Sequence, residues 1–232
     1  MGRKLTLLLE QCQKELFQVL YLNISSIKVS KIGLIDYGMG NIHSVKKAFE
    51  NLEEEVLLIK SKLQISSCKA LIIPGQGAFD PAIENLKETG LIDEIKKWIS
   101  SGKSFMGICL GLQILFEESE EGKNKGLGII NGKIKKIPPI NNQKLPHIGW
   151  CNLIPTKDSK LLCKDEINKW VYFDHSYFAA PNNEGFVTAC VEYGEINLTA
   201  IIEYENLIAC QFHPEKSGNI GQSLLYKWLQ TI

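Results

Sequence analysis

Ser104-Phe105-Met106-Gly107-Ile108-Cys109-Leu110-Gly111-Leu112-Gln113 runs from an apolar strand, residues 104–108, directly into an amphipathic pattern that predicts a helix over 110–118. A side chain at so sharp a strand-to-helix corner sits on strained backbone, and only small flanking residues let the chain pass. Gly107-x-Cys109-x-Gly111 therefore reads as the cysteine form of a nucleophile elbow. A helix N-terminus at that corner favours the thiolate of Cys109. The N–H of Leu110 is placed to donate to an oxyanion formed on a substrate carbonyl.

The pattern repeats on the N-terminal side. Residues 32–35 form a short apolar run, closed by Asp36-Tyr37-Gly38-Met39-Gly40-Asn41 and followed by a helix-compatible stretch at 44–52. Residues 56–59 and 70–73 are strand-like, Pro74-Gly75-Gln76-Gly77 closes the second, and helical patterns follow at 81–87 and 91–99. Apolar runs alternating with amphipathic helices predict an α/β fold with a doubly wound, mostly parallel sheet covered on both faces. Ligands bind such sheets beyond the carboxyl ends of the strands. The three glycine turns fall at those ends and should converge, with an N–H of the Gln76-Gly77 turn as second oxyanion donor.

The second half changes character. Residues 128–137, 147–153, 170–173, 186–191, 198–202 and 207–212 read as short strands separated by turns, an antiparallel extension closed by a helix at 222–229. Residues 31–232 thus form one domain without internal repeat. Residues 1–30 stand apart. Their Leu-rich stretch, 5–22, is interrupted by Glu10, Gln11, Gln13, Lys14 and Glu15, so it cannot span a bilayer, and it reads as an amphipathic helical extension or as the product of an upstream start codon. Met1-Gly2 with Thr6 matches a loose myristoylation pattern, too short to separate from chance.

Composition narrows the function classes. In 232 residues, 26 Lys and Arg balance 26 Asp and Glu without basic blocks, which argues against nucleic acid and membrane surfaces as partners. Seven cysteines, an odd number with no C-x-x-C pair and mostly in apolar stretches, point to buried thiols in a reducing, cytoplasmic setting.

A cysteine nucleophile needs a base. In Gln211-Phe212-His213-Pro214-Glu215 the proline holds His213 extended, so the side chains at 213 and 215 lie on one side and Glu215 can fix the imidazole. His43, His147 and His175 have no such neighbour. No residues show metal-ligand spacing apart from His213 and Glu215, and Gly38-x-Gly40 lacks the third glycine of a dinucleotide loop, so neither metal nor cofactor is expected.

Gly107-Ile-Cys109-Leu-Gly111-Leu-Gln113 with His213-Pro-Glu215 resembles the class I (triad) glutamine amidotransferases, over residues 31–232. Ile35-Asp36-Tyr37-Gly38-Met39-Gly40-Asn41, Pro74-Gly75-Gln76-Gly77-Ala78-Phe79, His147-Ile148-Gly149-Trp150, His175-Ser176-Tyr177 and His213-Pro214-Glu215-Lys216-Ser217-Gly218 are similar to one branch of that family, the glutaminase subunits of imidazole glycerol phosphate synthase. The resemblance implies a flavodoxin-like fold, a Cys109 thioester, proton shuttling by His213 and orientation of His213 by Glu215. It implies that Gly75, Gly77, Leu110, Gln113, Ser176 and Tyr177 bind L-glutamine. It also implies that Asn41, Trp150, Tyr172 and Lys216 face a separate (β/α)8-barrel cyclase, the other half of a heterodimer that turns the ammonia into imidazole glycerol phosphate and an aminoimidazole carboxamide ribotide in histidine biosynthesis.

Two features depart from the pattern. Residues 1–30 lie outside it, and Gln76 stands where other amidotransferases commonly carry glycine, which should hinder the peptide flip that completes the oxyanion hole. Other readings are the glutaminase of pyridoxal phosphate synthase, a cysteine hydrolase on a similar sheet, and a non-enzymatic subunit that retains the fold. The 37–41 and 147–150 segments argue against the first, His213-Pro214-Glu215 against the second, and the intact Cys109, His213 and Glu215 against the third.

Overall fold

A computed structural model describes residues 31–140 and 143–232; the extension at 1–30, with its expected helix, lies outside the described residues. The first half alternates as anticipated. It comprises β1 (Lys31–Ile35), α1 (Ile42–Glu50), β2 (Val56–Ile59), the short α2 (Lys62–Ile65), β3 (Cys68–Ile73), α3 (Phe79–Thr89), α4 (Ile92–Ser100), β4 (Phe105–Ile108) and α5 (Leu110–Gln113). The second half contains β5 (Phe116–Ser119), β6 (Ile130–Lys136), β7 (His147–Asn152), β8 (Ile154–Pro155), β9 (Trp170–His175), β10 (Tyr177–Pro181), β11 (Val187–Tyr193), β12 (Ile196–Tyr204), β13 (Leu207–Cys210) and α6 (Gly218–Leu229).

One large sheet runs in the order β2-β1-β3-β4-β13-β12-β11-β8. The first five strands pair in parallel, and β12, β11 and β8 continue the same sheet antiparallel. The chain reverses direction across the sheet between β1 and β3, which makes the carboxyl ends there the natural ligand crevice. Alternation explains why the central strands are apolar throughout: Ile32, Leu34, Ala70, Ile72 and Met106 face one core with Phe49 and Trp228, whereas Ile35, Leu71, Ile73 and Phe105 face another with Phe79, Leu86 and Ile95. Helices α1 and α6 cover the first face and meet edge-to-face through Phe49 and Trp228, 5.7 Å apart. Helices α3 and α4 cover the second.

Two smaller sheets decorate the carboxyl end. One is β10-β6-β5; the other is the antiparallel ribbon β7-β9, in which His147 pairs with His175 and Trp150 with Tyr172.

The helix expected over 110–118 stops after one turn, at Gln113. Its would-be continuation is captured from the side: the carbonyls of Ile114, Leu115, Phe116 and Glu117 accept from the amides of Leu127, Ile129, Gly128 and Gly126. A Cβ on Gly126 would stand 2.1 Å from the Phe116 oxygen, so the glycine is what lets this competing segment approach. Strand β10 was not anticipated.

Burial of the thiols is also less uniform than composition suggested. Cys68, Cys109 and Cys210 are buried, but Cys151 and Cys190 are half-buried and Cys163 is exposed in the loop before β9; all six are free, and Cys12 lies outside the described residues. Among the described residues no helix is long and apolar enough to cross a membrane, and no cluster of His, Cys, Asp and Glu has the makings of a metal site.

Candidate active site

The elbow forms because two glycines remove every obstacle to it. A Cβ on Gly111 would lie 2.0 Å from the Ile73 carbonyl oxygen, and one on Gly107 would press on the Gly111 carbonyl at 3.0 Å. Between them Cys109 adopts φ 54° and ψ −111°, a conformation that costs about 1–3 kcal/mol and persists only where the surroundings over-determine it. They do so here: the Cys109 amide donates to the Cys210 carbonyl at 2.8 Å, and its own carbonyl accepts from Leu112 and Gln113.

The three glycine turns meet as expected. A Cβ on Gly75 would collide at 2.5 Å with the Gly111 nitrogen and the Leu110 Cβ, and one on Gly40 would come within 3.2 Å of the Gly75 nitrogen. Tyr37 Oη donates to the Pro74 carbonyl at 2.7 Å, tying the first turn to the second.

Over the elbow opens a cavity of about 330 Å³, bordered by Gln76, Gly77, Cys109, Leu110, Gln113, Ser176 and Tyr177. Of the anticipated glutamine-binding residues, only Gly75 does not line it; that glycine is packed between the turns and lets them close. Glu121, which sequence reasoning missed, also borders the cavity, where burial raises its pKa although its Oε2 accepts from the Phe79 amide at 3.0 Å. It sits in the run Glu117-Glu118-Ser119-Glu120-Glu121, and nothing in that run distinguishes the one carboxylate that turns inward.

His213 follows β13, and Pro214–Lys216 is a single 3-10 turn. The turn brings Glu215 Oε1 within 2.8 Å of His213 Nδ1, with both side chains about 1% exposed. Burial opposes a charged imidazole, but the Cys109 sulfur and the Glu215 carboxylate outweigh it and push the His213 pKa up to about 10. His213 Nε2 makes no hydrogen bond of its own, leaving it available to exchange protons with a reacting group. Because α5 is one turn long, its dipole offers the sulfur far less than the expected helix would have; the neighbouring groups are His213, the Asp174 carbonyl 4.0 Å from Sγ, and the buried Gln211, whose Nε2 lies 3.7 Å from Sγ.

The four residues expected to face a partner lie at the same end of the sheet. Trp150 is 51% exposed and meets Tyr172 edge-to-face at 6.1 Å, and the Lys216 ammonium lies 5.9 Å from the centre of the Tyr172 ring. Asn41 caps α1 by accepting from the Ser44 amide, and α1 packs against the Pro214–Lys216 turn.

The family profile "glutamine amidotransferase class-I" matches residues 33–231, the span that carries this sheet, elbow and His–Glu pair. The chain belongs to the class-I glutamine amidotransferases. The similarity is high toward one group of them. A protein of Prochlorococcus marinus subsp. pastoris named "imidazole glycerol phosphate synthase subunit HisH" is 63% identical over 204 residues, 88% of this chain and 100% of that protein. A Synechococcus protein of the same name is 46% identical over 87% of this chain and 94% of its own length. Among solved structures, one titled "Structure of PurLQS from Thermotoga maritima" superimposes with a TM-score of 0.69 at 18% identity, over 87% of this chain and 98% of that one. Another, a "glutamine amidotransferase", gives 0.66 at 20% identity over 86% and 97%; at such identities these two speak for the fold alone.

Proposed function

We propose that this chain is the glutaminase subunit of imidazole glycerol phosphate synthase, hydrolysing L-glutamine to glutamate and ammonia and passing the ammonia to a separate (β/α)8-barrel cyclase. The observation that carries the reading is the His213–Glu215 pair, 2.8 Å apart and buried, beside a cysteine held on a strained elbow that opens into a substrate-sized cavity. The 63% identity to a protein named as that subunit supports the choice of partner.

In this reading Cys109 Sγ attacks the side-chain amide carbon of glutamine, and the N–H groups of Leu110 and of the Gln76-Gly77 turn stabilise the oxyanion. His213 gives its proton to the amide nitrogen, the C–N bond breaks, and ammonia leaves a thioester on Cys109. Water then attacks the thioester as His213 takes a proton back, the C–S bond breaks, and glutamate is released with the thiolate restored. Glu215 keeps the imidazole oriented throughout. Gln113, Ser176 and Tyr177 hold the substrate, and Glu121 is suited to the substrate's α-ammonium, a carboxylate on the cavity wall being complementary to that charge. Asn41, Trp150, Tyr172 and Lys216 face the cyclase in a heterodimer. Residues 31–232 form the catalytic domain, and the free thiols support a cytoplasmic setting.

The test is to combine the chain with its cyclase and measure glutamate release with and without the cyclase's nucleotide ligand. Glutamine-dependent product formation supports the assignment; a chain that neither binds the cyclase nor hydrolyses glutamine in its presence overturns it.

A further inference from the structure

From the cavity wall, where Gln113, His175 and Tyr177 stand, a chain of polar contacts runs inward, and the reaction above uses only Gln113 and Tyr177 of its members. Gln211, fully buried, points Nε2 at Cys109 Sγ across 3.7 Å, and its Oε1 accepts from Gln113 Nε2 at 3.2 Å. Gln113 Nε2 also donates to the backbone carbonyl of Tyr177 at 3.0 Å. The same carbonyl lies 2.8 Å from His175 Nδ1; His175 Nε2 lies 3.0 Å from His147 Nδ1, and His147 Nε2 lies 3.1 Å from Cys151 Sγ.

One atom sets the direction of every link. A carbonyl oxygen only accepts, so His175 carries its proton on Nδ1 and offers a lone pair at Nε2. That lone pair requires the proton of His147 on Nδ1, which leaves His147 Nε2 to accept from the Cys151 thiol. Both rings are neutral in this arrangement, and burial agrees, pushing His175 down to about 3 and lowering His147 as well. On the other branch the carbonyl fixes the Gln113 amide with its NH2 inward, which commits the Gln211 oxygen to Gln113. The group left facing the sulfur is then an N–H of Gln211.

We propose that Gln211 is a positioning residue for the nucleophile, aiming an N–H at Cys109 Sγ, and that the Tyr177 carbonyl, held by the His175–His147–Cys151 wire, sets that aim. The wire is braced: His147 stacks on Phe173 at 5.1 Å and leans on Tyr193 at 4.8 Å, so its ring is held in register. It ends on β7, the strand whose outer side carries the exposed Ile148 and Trp150. A shift of the ribbon therefore reaches the sulfur through hydrogen bonds as well as through packing. The consequence for turnover rests on the glutaminase reading; the geometry does not.

The experiment uses the complex with its cyclase. Gln211→Met keeps length and apolar volume while removing the donor, and the rate of Cys109 alkylation by iodoacetamide at neutral pH is followed by peptide mass spectrometry alongside glutamine kinetics. Loss of one charge-assisted hydrogen bond predicts alkylation and kcat each lower by roughly tenfold, with KM for glutamine changed by less than about twofold, because Gln211 does not border the cavity. Wild-type alkylation in Gln211→Met would overturn the role. Nitrogen-15 NMR of the unsubstituted protein reads the wire even if that variant does not fold: His147 and His175 should both be neutral Nδ1–H tautomers, and an Nε2–H form of His175 contradicts the proposal. Cys151→Ser should preserve the alkylation rate and Cys151→Ala reduce it; equal rates in the two would remove the wire's influence on the sulfur. Alkylation needs no glutamine, so a wild-type chain that alkylates normally but does not hydrolyse glutamine refutes the function and not this assignment.

Discussion

The backbone amide of His213 donates to the carbonyl of Tyr172 at 2.9 Å. The Tyr172 amide in turn donates to Ser217 Oγ at 2.9 Å, and that hydroxyl donates to the His213 carbonyl at 2.6 Å. The loop carrying the proposed base is thus fastened at both ends to one residue of β9, whose ring meets Trp150 edge-to-face on the outer face. Whatever docks on Trp150 and Tyr172 presses on the strand that holds His213.

Trp150→Ala tests that face. With half of the side chain in solvent, its removal should leave thermal unfolding nearly unchanged. In the proposed interface its loss should weaken cyclase binding by about tenfold or more, read by calorimetry.

The His213 titration has a defined sign. Its pKa is raised from 6.5 to about 10, so the favourable contribution of the imidazolium is whole below pH 6.5 and is lost as pH rises through about 10. Imidazole NMR shifts should therefore move near pH 10 in the wild type. In Cys109→Ala and in Glu215→Gln the midpoint should fall, since each removes a neighbour that raises it while burial remains. Glu215→Gln should also lower kcat by roughly 10²–10⁴-fold, the range for loss of the residue that orients a catalytic imidazole.

Gln76 is the residue expected to hinder the peptide flip that completes the oxyanion hole. It is exposed at the rim of the cavity, next to Gly77 at φ 119°. Gln76→Gly frees the turn to present its N–H, and glutamate release without the cyclase ligand should rise severalfold toward the activated rate. An unchanged resting rate would show that some other element holds the enzyme idle.

Gly111→Ala should be damaging out of proportion to one methyl group, because its Cβ would sit 2.0 Å from the Ile73 oxygen. Overpacking of that kind costs about 1–3 kcal/mol or more, seen as a lowered urea midpoint. Gly128→Ala, with nothing within 4 Å of the added Cβ but φ +62°, should cost about 1 kcal/mol from backbone strain alone.

The parts of this architecture legible in the sequence are those encoded locally. The unbroken apolar runs Ile32–Ile35 and Ala70–Ile73 announce strands covered on both faces, as their continuous burial bears out, and the glycines flanking Cys109 announce the elbow that the chain in fact makes. The parts hidden from it depend on distant segments. Residues 114–118 carry a helical pattern, yet the carbonyls of 114–117 are taken by Gly126–Ile130, a competition no local window contains. Gln211 looks like any polar residue beside the His213 motif until Gln113, 98 positions away, fixes its orientation. Glu121 is one of four glutamates in five residues, and only the fold selects it.

The most direct measurement of the central claim is glutamate release by a Cys109→Ala chain in complex with its cyclase, together with cyclase turnover on added ammonia. The account predicts no glutamate and no glutamine-dependent product, while ammonia-dependent synthesis continues. Glutamate released at the wild-type rate by Cys109→Ala would contradict it.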